Sequence, residues 1–191
     1  YGGFVSLIYN KRINEVYRPL PDSGLKSIRL EKFLKDMKVK TGIYDKKSFD
    51  VGNAKIYFLK DPYNYYYKSF SSNNKSGVLK IVYGNTLFLF VGDCEHPAEN
   101  YLASYFRNML DSDVLKVGHH GSSTGSSEAF LYLVSPKISL VSAGIKNKFN
   151  HPVESVINSL NTMNSKIYRT DHLGAVLLES NGTNIKYVNW K

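Results

Sequence analysis

The chain has 191 residues, 42% of them hydrophobic and 21% charged, a globular composition that suits one domain or one large part of a two-layer domain. Its 25 lysines and arginines outweigh 16 aspartates and glutamates, and the net charge of +9 favours a polyanionic partner such as nucleic acid or an anionic surface. No apolar run is long enough to span a bilayer, and the lone Cys94 excludes an internal disulfide framework while leaving the compartment open.

Residues 1–10 place Phe4, Leu7 and Ile8 on one helical face. A short strand is predicted over Glu15–Tyr17, stopped by Pro19 and Pro21. Asp22 or Ser23 can cap the next helix, whose apolar positions are Leu25, Ile28, Phe33, Leu34 and Met37. Its other face carries Lys26, Arg29, Lys32, Lys35 and Lys38, a solvated face that adds to the basic field. From Thr41 the period shifts towards two, and Ser48–Val51 and Lys55–Leu59 read as a hairpin around Gly52-Asn53, closed by Asp61-Pro62. The run Tyr63–Phe70 sets tyrosines beside Lys68; such a cluster either stacks on bases or lines a loop over a sheet edge. A second hairpin pairs Val78–Tyr83 with Thr86–Val91 around Gly84-Asn85 and ends in Gly92-Asp93. Asp93 stands just past an apolar strand, where it is either a ligand or the cap of a helix over Pro97–Met109.

The stretch that gathers chemistry is Asp113–Ser123. Val114–Val117 is long enough for one buried strand, and Gly118 and Gly121 bracket His119 and His120 on a tight turn at its tip. Neutral imidazole is the commonest metal ligand and also a general acid or base, whereas two adjacent histidines can also be a chance surface pair. Further on, Ser126-Ser127-Glu128 opens a short helix carrying Phe130, Leu131 and Leu133, broken by Pro136. Ile138–Val141 is another buried strand, and Ser142-Ala143-Gly144 leads from it into a polar loop that ends in His151-Pro152. Val153–Leu160 is helical, Ile167–Arg169 a strand, and the last hairpin pairs Ala175–Glu179 with Ile185–Val188 across Asn181-Gly182. His172 reads as a solvent-facing turn residue and His96 as a helix-opening one. There is no internal repeat and no linker to a second domain.

Taken together, these motifs resemble the metallo-β-lactamase-like domain at the C-terminus of ComEC-type DNA-uptake proteins and of related stand-alone metallohydrolases. Asn74–Asp93 is similar to the family's hairpin ending in Gly-Asp, and Val114–Ser122 to its Leu-Lys-Val-x-His-His-Gly-Ser. Asn147–Pro152 is similar to its Asn-x-x-x-His-Pro loop, and Tyr168-Arg169-Thr170-Asp171 with Gly174 to its Tyr-Arg-Thr-Asp-x-x-Gly turn. Tyr1-Gly2-Gly3 resembles the tail of the family's first metal motif.

The resemblance implies an αββα sandwich over residues 1–191, lacking its first strands and first metal motif, with metal ions at one edge of the sheets. It implies Asp93 as a bridging carboxylate, and His119 and His120 as one metal ligand plus one substrate-facing or proton-transferring imidazole. His151 is implied as a further site residue. Two divalent ions, zinc or manganese, would activate water for attack on a phosphodiester. The richest ligand cluster is expected in an upstream segment before Tyr1, so these residues alone should bind metal weakly in a cleft open on one side.

The function expected is that of a metal-dependent hydrolase, a phosphodiesterase or nuclease tied to DNA uptake and competence. The alternatives are a metal-free nucleic-acid-binding module on the same fold, or a hydrolase of small or cell-surface phosphodiesters. Location stays open between the cytoplasm and, within a ComEC-like membrane protein, a membrane-associated or extracytoplasmic place. One geometric expectation follows: the Asp93 carboxylate and an imidazole of the pair should lie within reach of one metal or one water, with His151 bordering the same cleft.

Overall fold

Glycine-asparagine turns and apolar alternation build most of what is seen in the computed structural model, which describes residues 2–10, 13–18, 24–43, 48–59 and 69–189. In chain order the first elements are α1 (Gly2–Tyr9), β1 (Glu15–Arg18), α2 (Leu25–Asp36), β2 (Lys40–Ile43), β3 (Ser48–Val51), β4 (Ala54–Phe58), β5 (Leu79–Tyr83) and β6 (Thr86–Phe90). Then come α3 (His96–Phe106), β7 (Val114–Lys116), α4 (Glu128–Val134), β8 (Ile138–Val141), α5 (Glu154–Thr162), β9 (Lys166–Arg169), α6 (Thr170–Leu173), β10 (Leu177–Ser180) and β11 (Ile185–Val188).

Strands β3 to β9 form one seven-stranded sheet in sequence order. The β3–β4 and β5–β6 hairpins turn on two residues each, which makes those pairs antiparallel, and β4–β5 is antiparallel as well. Strands β6 to β9 are each followed by a helix, and β6, β7, β8 and β9 pair in parallel. The class is the mixed α/β one expected, a central mixed sheet flanked by helices and compatible with an αββα sandwich.

Register explains the core. Leu89, Leu115 and Ser139 are cross-strand partners on one face, and both leucines are fully buried. They join Ala98 and Leu102 of α3, Phe130, Leu131 and Val134 of α4, and Val156 and Leu160 of α5. Each buried Val, Leu or Phe side chain among them contributes about 1.5–3 kcal/mol by leaving water. Lys80, opposite Leu89, lies in the same row, and its ammonium donates to the carbonyls of Met109 (2.8 Å) and Asp111 (2.6 Å). Burial pushes the Lys80 pKa down, while the nearby charges of Asp111 and Asp113 act in the opposite sense. On the other face, β10–β11 folds back on the sheet: Tyr187 stacks on Tyr168 at 4.9 Å, and the amide of Asn85 donates to the Gly182 carbonyl.

Two expectations are corrected. Leu25 and Ile28 are 73% and 53% exposed rather than inward, because the contacts of α2 gather further along, at Glu31 with Arg18, Phe33 with Tyr9, and the buried Leu34. Strand β2, parallel to β1, was not anticipated, since Lys-Thr-Gly-Ile has no apolar alternation to reveal it. The proline stops, the cap candidates Asp22 and Ser23, Tyr1, Asp61-Pro62 and the Tyr63–Lys68 cluster lie outside the described residues.

The end of β9 is pinned by a forked ion pair. Arg169 donates from Nε to Asp171 Oδ1 (3.1 Å) and from Nη2 to Oδ2 (2.7 Å), which holds the Asp171 carboxyl below the usual carboxylate range. A lowered folded pKa stabilises above the unfolded value of about 3.9 and stops doing so as pH falls through the folded value. Asp171→Asn should therefore cost about 1 kcal/mol at neutral pH. Urea midpoints of variant and parent should converge on acidification below about pH 4. A gap that persists unchanged down to pH 2 would contradict the assignment.

Candidate functional site

Because β6, β7, β8 and β9 are parallel neighbours, their C-terminal ends emerge on one edge of the sheet, where sites on such sheets are commonly built. Asp93 follows β6, His119 and His120 follow β7, Ser142 and the loop to His151 follow β8, and Thr170 follows β9. Backbone bonds tie these ends together: His119 N–H donates to the Gly92 carbonyl (3.1 Å), and Val153 N–H to that of Gly121 (3.0 Å). Thr170 Oγ1 donates to the Ala143 carbonyl (2.8 Å) and accepts from its amide (2.9 Å).

The two histidines are consecutive left-handed residues, with φ of 44° and 58°. For a residue with a Cβ this costs about 1 kcal/mol or more, so the surroundings must impose it. The consequence is that the imidazoles point apart, with ring centroids 6.4 Å from one another.

His120 Nδ1 lies 2.6 Å from the Ser142 carbonyl. A carbonyl only accepts, so Nδ1 carries the hydrogen and the neutral ring keeps a lone pair on Nε2. That Nε2 faces Asp93 Oδ1 at 3.7 Å. Two acceptors held face to face call for something positive between them, either a proton on the imidazole or a cation. Asp93 is itself fixed by its amide, which donates to Ser76 Oγ (3.0 Å).

His119 turns the other way, towards Glu95. Thr124 Oγ1 donates to Glu95 Oε1 (3.1 Å) and lies 3.2 Å from His119 Nδ1, which is 3.4 Å from the same carboxylate oxygen. With its own proton committed to Glu95, Thr124 accepts from His119 Nδ1–H, and the His119 lone pair again falls on Nε2. Asn74 completes the network: Nδ2 donates to Glu95 Oε2 (3.0 Å), and Oδ1 accepts from the amides of Glu95 (3.0 Å) and Ala98 (3.2 Å). Asn74 thus caps α3 from outside the helix, a service Glu95 in the cap position does not perform with its own side chain.

His151 closes the third side. Its ring meets the His119 ring edge-on at 5.8 Å and stacks on Phe149 at 5.7 Å. Burial, then the charges of His119 and His120, lower its pKa, so the ring is neutral at pH 7. Its buried Nδ1 has no hydrogen-bond partner among the described residues. The loop before it is braced by Asn147, whose Oδ1 accepts from the amides of Phe149 and His151 and whose Nδ2 donates to the carbonyls of Gly144 and His151. His120, Ser142, Ala143, Asn147, Phe149 and His151 line an open cleft of about 380 Å³.

No family model matches the chain. It is 40% identical over 109 residues to Competence protein ComA of Neisseria gonorrhoeae, covering 57% of this chain and 16% of that one. It is 37% identical over 106 residues to ComE operon protein 3 of Bacillus subtilis, covering 56% and 14%. It is 35% identical over 106 residues to Recombination protein 2 of Haemophilus influenzae, covering 56% and 13%. Each of these similarities covers about half of this chain. The chain spans about one seventh of the length of these curated relatives.

Against the residues singled out from sequence, the structure brings Asp93 and His120 together and places His119 beside Glu95 and His151 instead. Asp93 does not cap α3, where Glu95 holds that position. His96 opens α3 and is exposed, and His172 is exposed on α6, 3.7 Å from Asp171. Glu95, Asn74 and Thr124 escaped the sequence reading; the only signal for Glu95 was its place two residues after Asp93.

The donor set fits a divalent ion in part. Two ligands on one tetrahedral zinc stand roughly 3.4 Å apart, given ligand distances of about 2.1 Å, close to the 3.7 Å between Asp93 Oδ1 and His120 Nε2. An imidazole that donates its second nitrogen to a backbone carbonyl, as His120 does, is the usual arrangement of a metal-binding histidine. Among the described residues, however, no group of three or more His, Cys, Asp or Glu side chains is placed to hold a metal. Also among them, no helix is long and apolar enough to cross a membrane.

Proposed function

We propose that this chain forms a metallo-β-lactamase-like domain of a metal-dependent hydrolase, a phosphodiesterase or nuclease acting on DNA in uptake. The observation that carries the reading is the Asp93 carboxylate facing the lone pair of His120, whose tautomer the Ser142 carbonyl fixes. The relative named a competence protein and the charge of +9 support a nucleic-acid substrate. When bound, a zinc or manganese pair supplies Lewis acidity and a water of lowered pKa.

In this reading Asp93 and His120 Nε2 are two of the donors, and the others come from a segment upstream of Tyr1. His119 Nε2 is free to take a proton, and the imidazolium so formed is stabilised through Thr124 by the Glu95 carboxylate. Neutral His151 borders the reacting group without competing for charge. Lys116, at the end of β7, is partly buried, which pushes its pKa down, while the Asp93 charge acts to raise it.

The test is a DNA cleavage assay on the protein extended upstream of Tyr1, with Mn²⁺ or Zn²⁺, before and after chelation. Cleavage should vanish with chelator and return with metal. Cleavage indifferent to chelation sinks the proposal. A second reading, a metal-free nucleic-acid-binding module, rests on the same charge of +9. It predicts no cleavage, and binding that falls steeply with salt and survives His119→Ala and His120→Ala.

A further inference from the structure

The loop between β8 and His151 carries a feature that hydrolysis does not require. Phe149, stacked on His151, is 63% exposed, and Ile145 of the same loop is 75% exposed. The Phe149 ring is backed on one side by the near-parallel ring of His151, at 5.7 Å and 18°. Asn147 holds the backbone beneath it through the Phe149 and His151 amides. Lys148 lays its ammonium over the ring, 4.8 Å from its centre, an exposed contact on a flexible side chain that a stacking base can displace, and Lys146 lies three residues before Phe149 in the same exposed loop. An exposed aromatic ring backed by a second ring, in a loop that also carries lysines, is an arrangement that can bind single strands, the ring stacking on a base while the cations hold phosphate.

We propose that Phe149 is a stacking platform for one unpaired nucleobase of a single-stranded DNA substrate, flanked by Lys146 and Lys148 on its phosphates. The proposal rests on the hydrolase reading for its orientation, because Phe149 and His120 line one cleft and a base on the ring places the adjoining phosphate towards Asp93 and His120. The cleft, about 380 Å³, lies within the range of sites for small planar ligands. A paired and stacked base has both faces covered by its neighbours, so the platform selects single strands or frayed ends over intact duplex. Stacking tolerates any base, since every base has a π-face, and sequence preference should be weak.

The test measures binding, not turnover. Fluorescence anisotropy with the full-length protein in chelator compares a labelled oligothymidine with an abasic strand of equal length. Phe149→Ala should weaken binding to oligothymidine about tenfold, the loss of one stacked base, and leave the abasic strand unaffected. Phe149→Trp should restore it. Because Phe149 is exposed, neither change threatens the core. Equal binding of oligothymidine by Phe149→Ala and parent overturns the platform, as does an equal loss on the abasic strand. A protein that shows the Phe149 effect yet cleaves nothing with Mn²⁺ or Zn²⁺ keeps the platform and overturns the hydrolase.

Discussion

Replacing Asp93 with alanine in the protein extended upstream of Tyr1 should lower metal-dependent kcat/KM on DNA by a factor on the order of 10²–10⁴. That is the size of effect a positioned reacting group contributes, about 3–5 kcal/mol of transition-state stabilisation. The carboxylate is the only acidic side chain within 4 Å of His120 among the described residues, so no neighbour can take over its place. The loss should be accompanied by weaker metal binding, seen as a shift of the Mn²⁺ activation curve to higher concentration. Stability should hardly change, because the tie to Ser76 Oγ uses the Asp93 backbone amide and the side chain is nearly half exposed. Asp93→Asn keeps the shape and removes the charge, and it should be impaired almost as severely. Cleavage by either variant at the parental rate ends the role assigned to Asp93.

What the chain shows of itself before folding is uneven, and the reasons are physical. Gly84-Asn85 and Gly52-Asn53 announce two-residue hairpins because few other residues adopt the required backbone, and both hairpins are present. The convergence of Asp93 with His120 was legible because each follows an apolar strand, and parallel neighbours put their ends together. Which histidine meets Asp93 was not legible, since it depends on two consecutive left-handed residues that no spacing reports. Nor was the support of His119. Asn74, Glu95 and Thr124 meet across 21 and 29 residues of sequence, through hydrogen bonds that leave no period in the chain. Asn147 is the opposite case: its bonds run only two to four residues, the local pattern asparagine favours in loops.

The same contrast bears on how the site is held. Its side chains stand on two supports, the polar network of Asn74, Glu95 and Thr124 on one side and the Asn147 brace on the other. Between them the His-His turn is in direct contact with the His151-Pro152 segment, through Gly121. Loosening either support should move one imidazole while leaving the other in place, so each can be addressed separately by mutation.

Gly121→Val addresses the joint itself. Gly121 has φ +81°, a conformation that a β-branched residue adopts only under strain. A Cβ there would lie 2.5 Å from Pro152 Cβ and 3.1 Å from its Cα, too close for either to remain in place. The left-handed backbone costs about 1–2 kcal/mol and the overpacking about 1–3, so the variant should lose about 2–5 kcal/mol in urea unfolding. Relief of the clash pushes Pro152 away, breaks the bond from Val153 N–H to the Gly121 carbonyl, and carries His151 from its 5.8 Å contact with His119. The control is Gly52→Ala at a hairpin turn, also left-handed at φ +58° but with nothing within 4 Å of its would-be Cβ. That variant should lose only the backbone component, about 1 kcal/mol. Equal losses at the two glycines would show that Pro152 does not bear on the turn, and that the His-His segment and His151 are positioned independently.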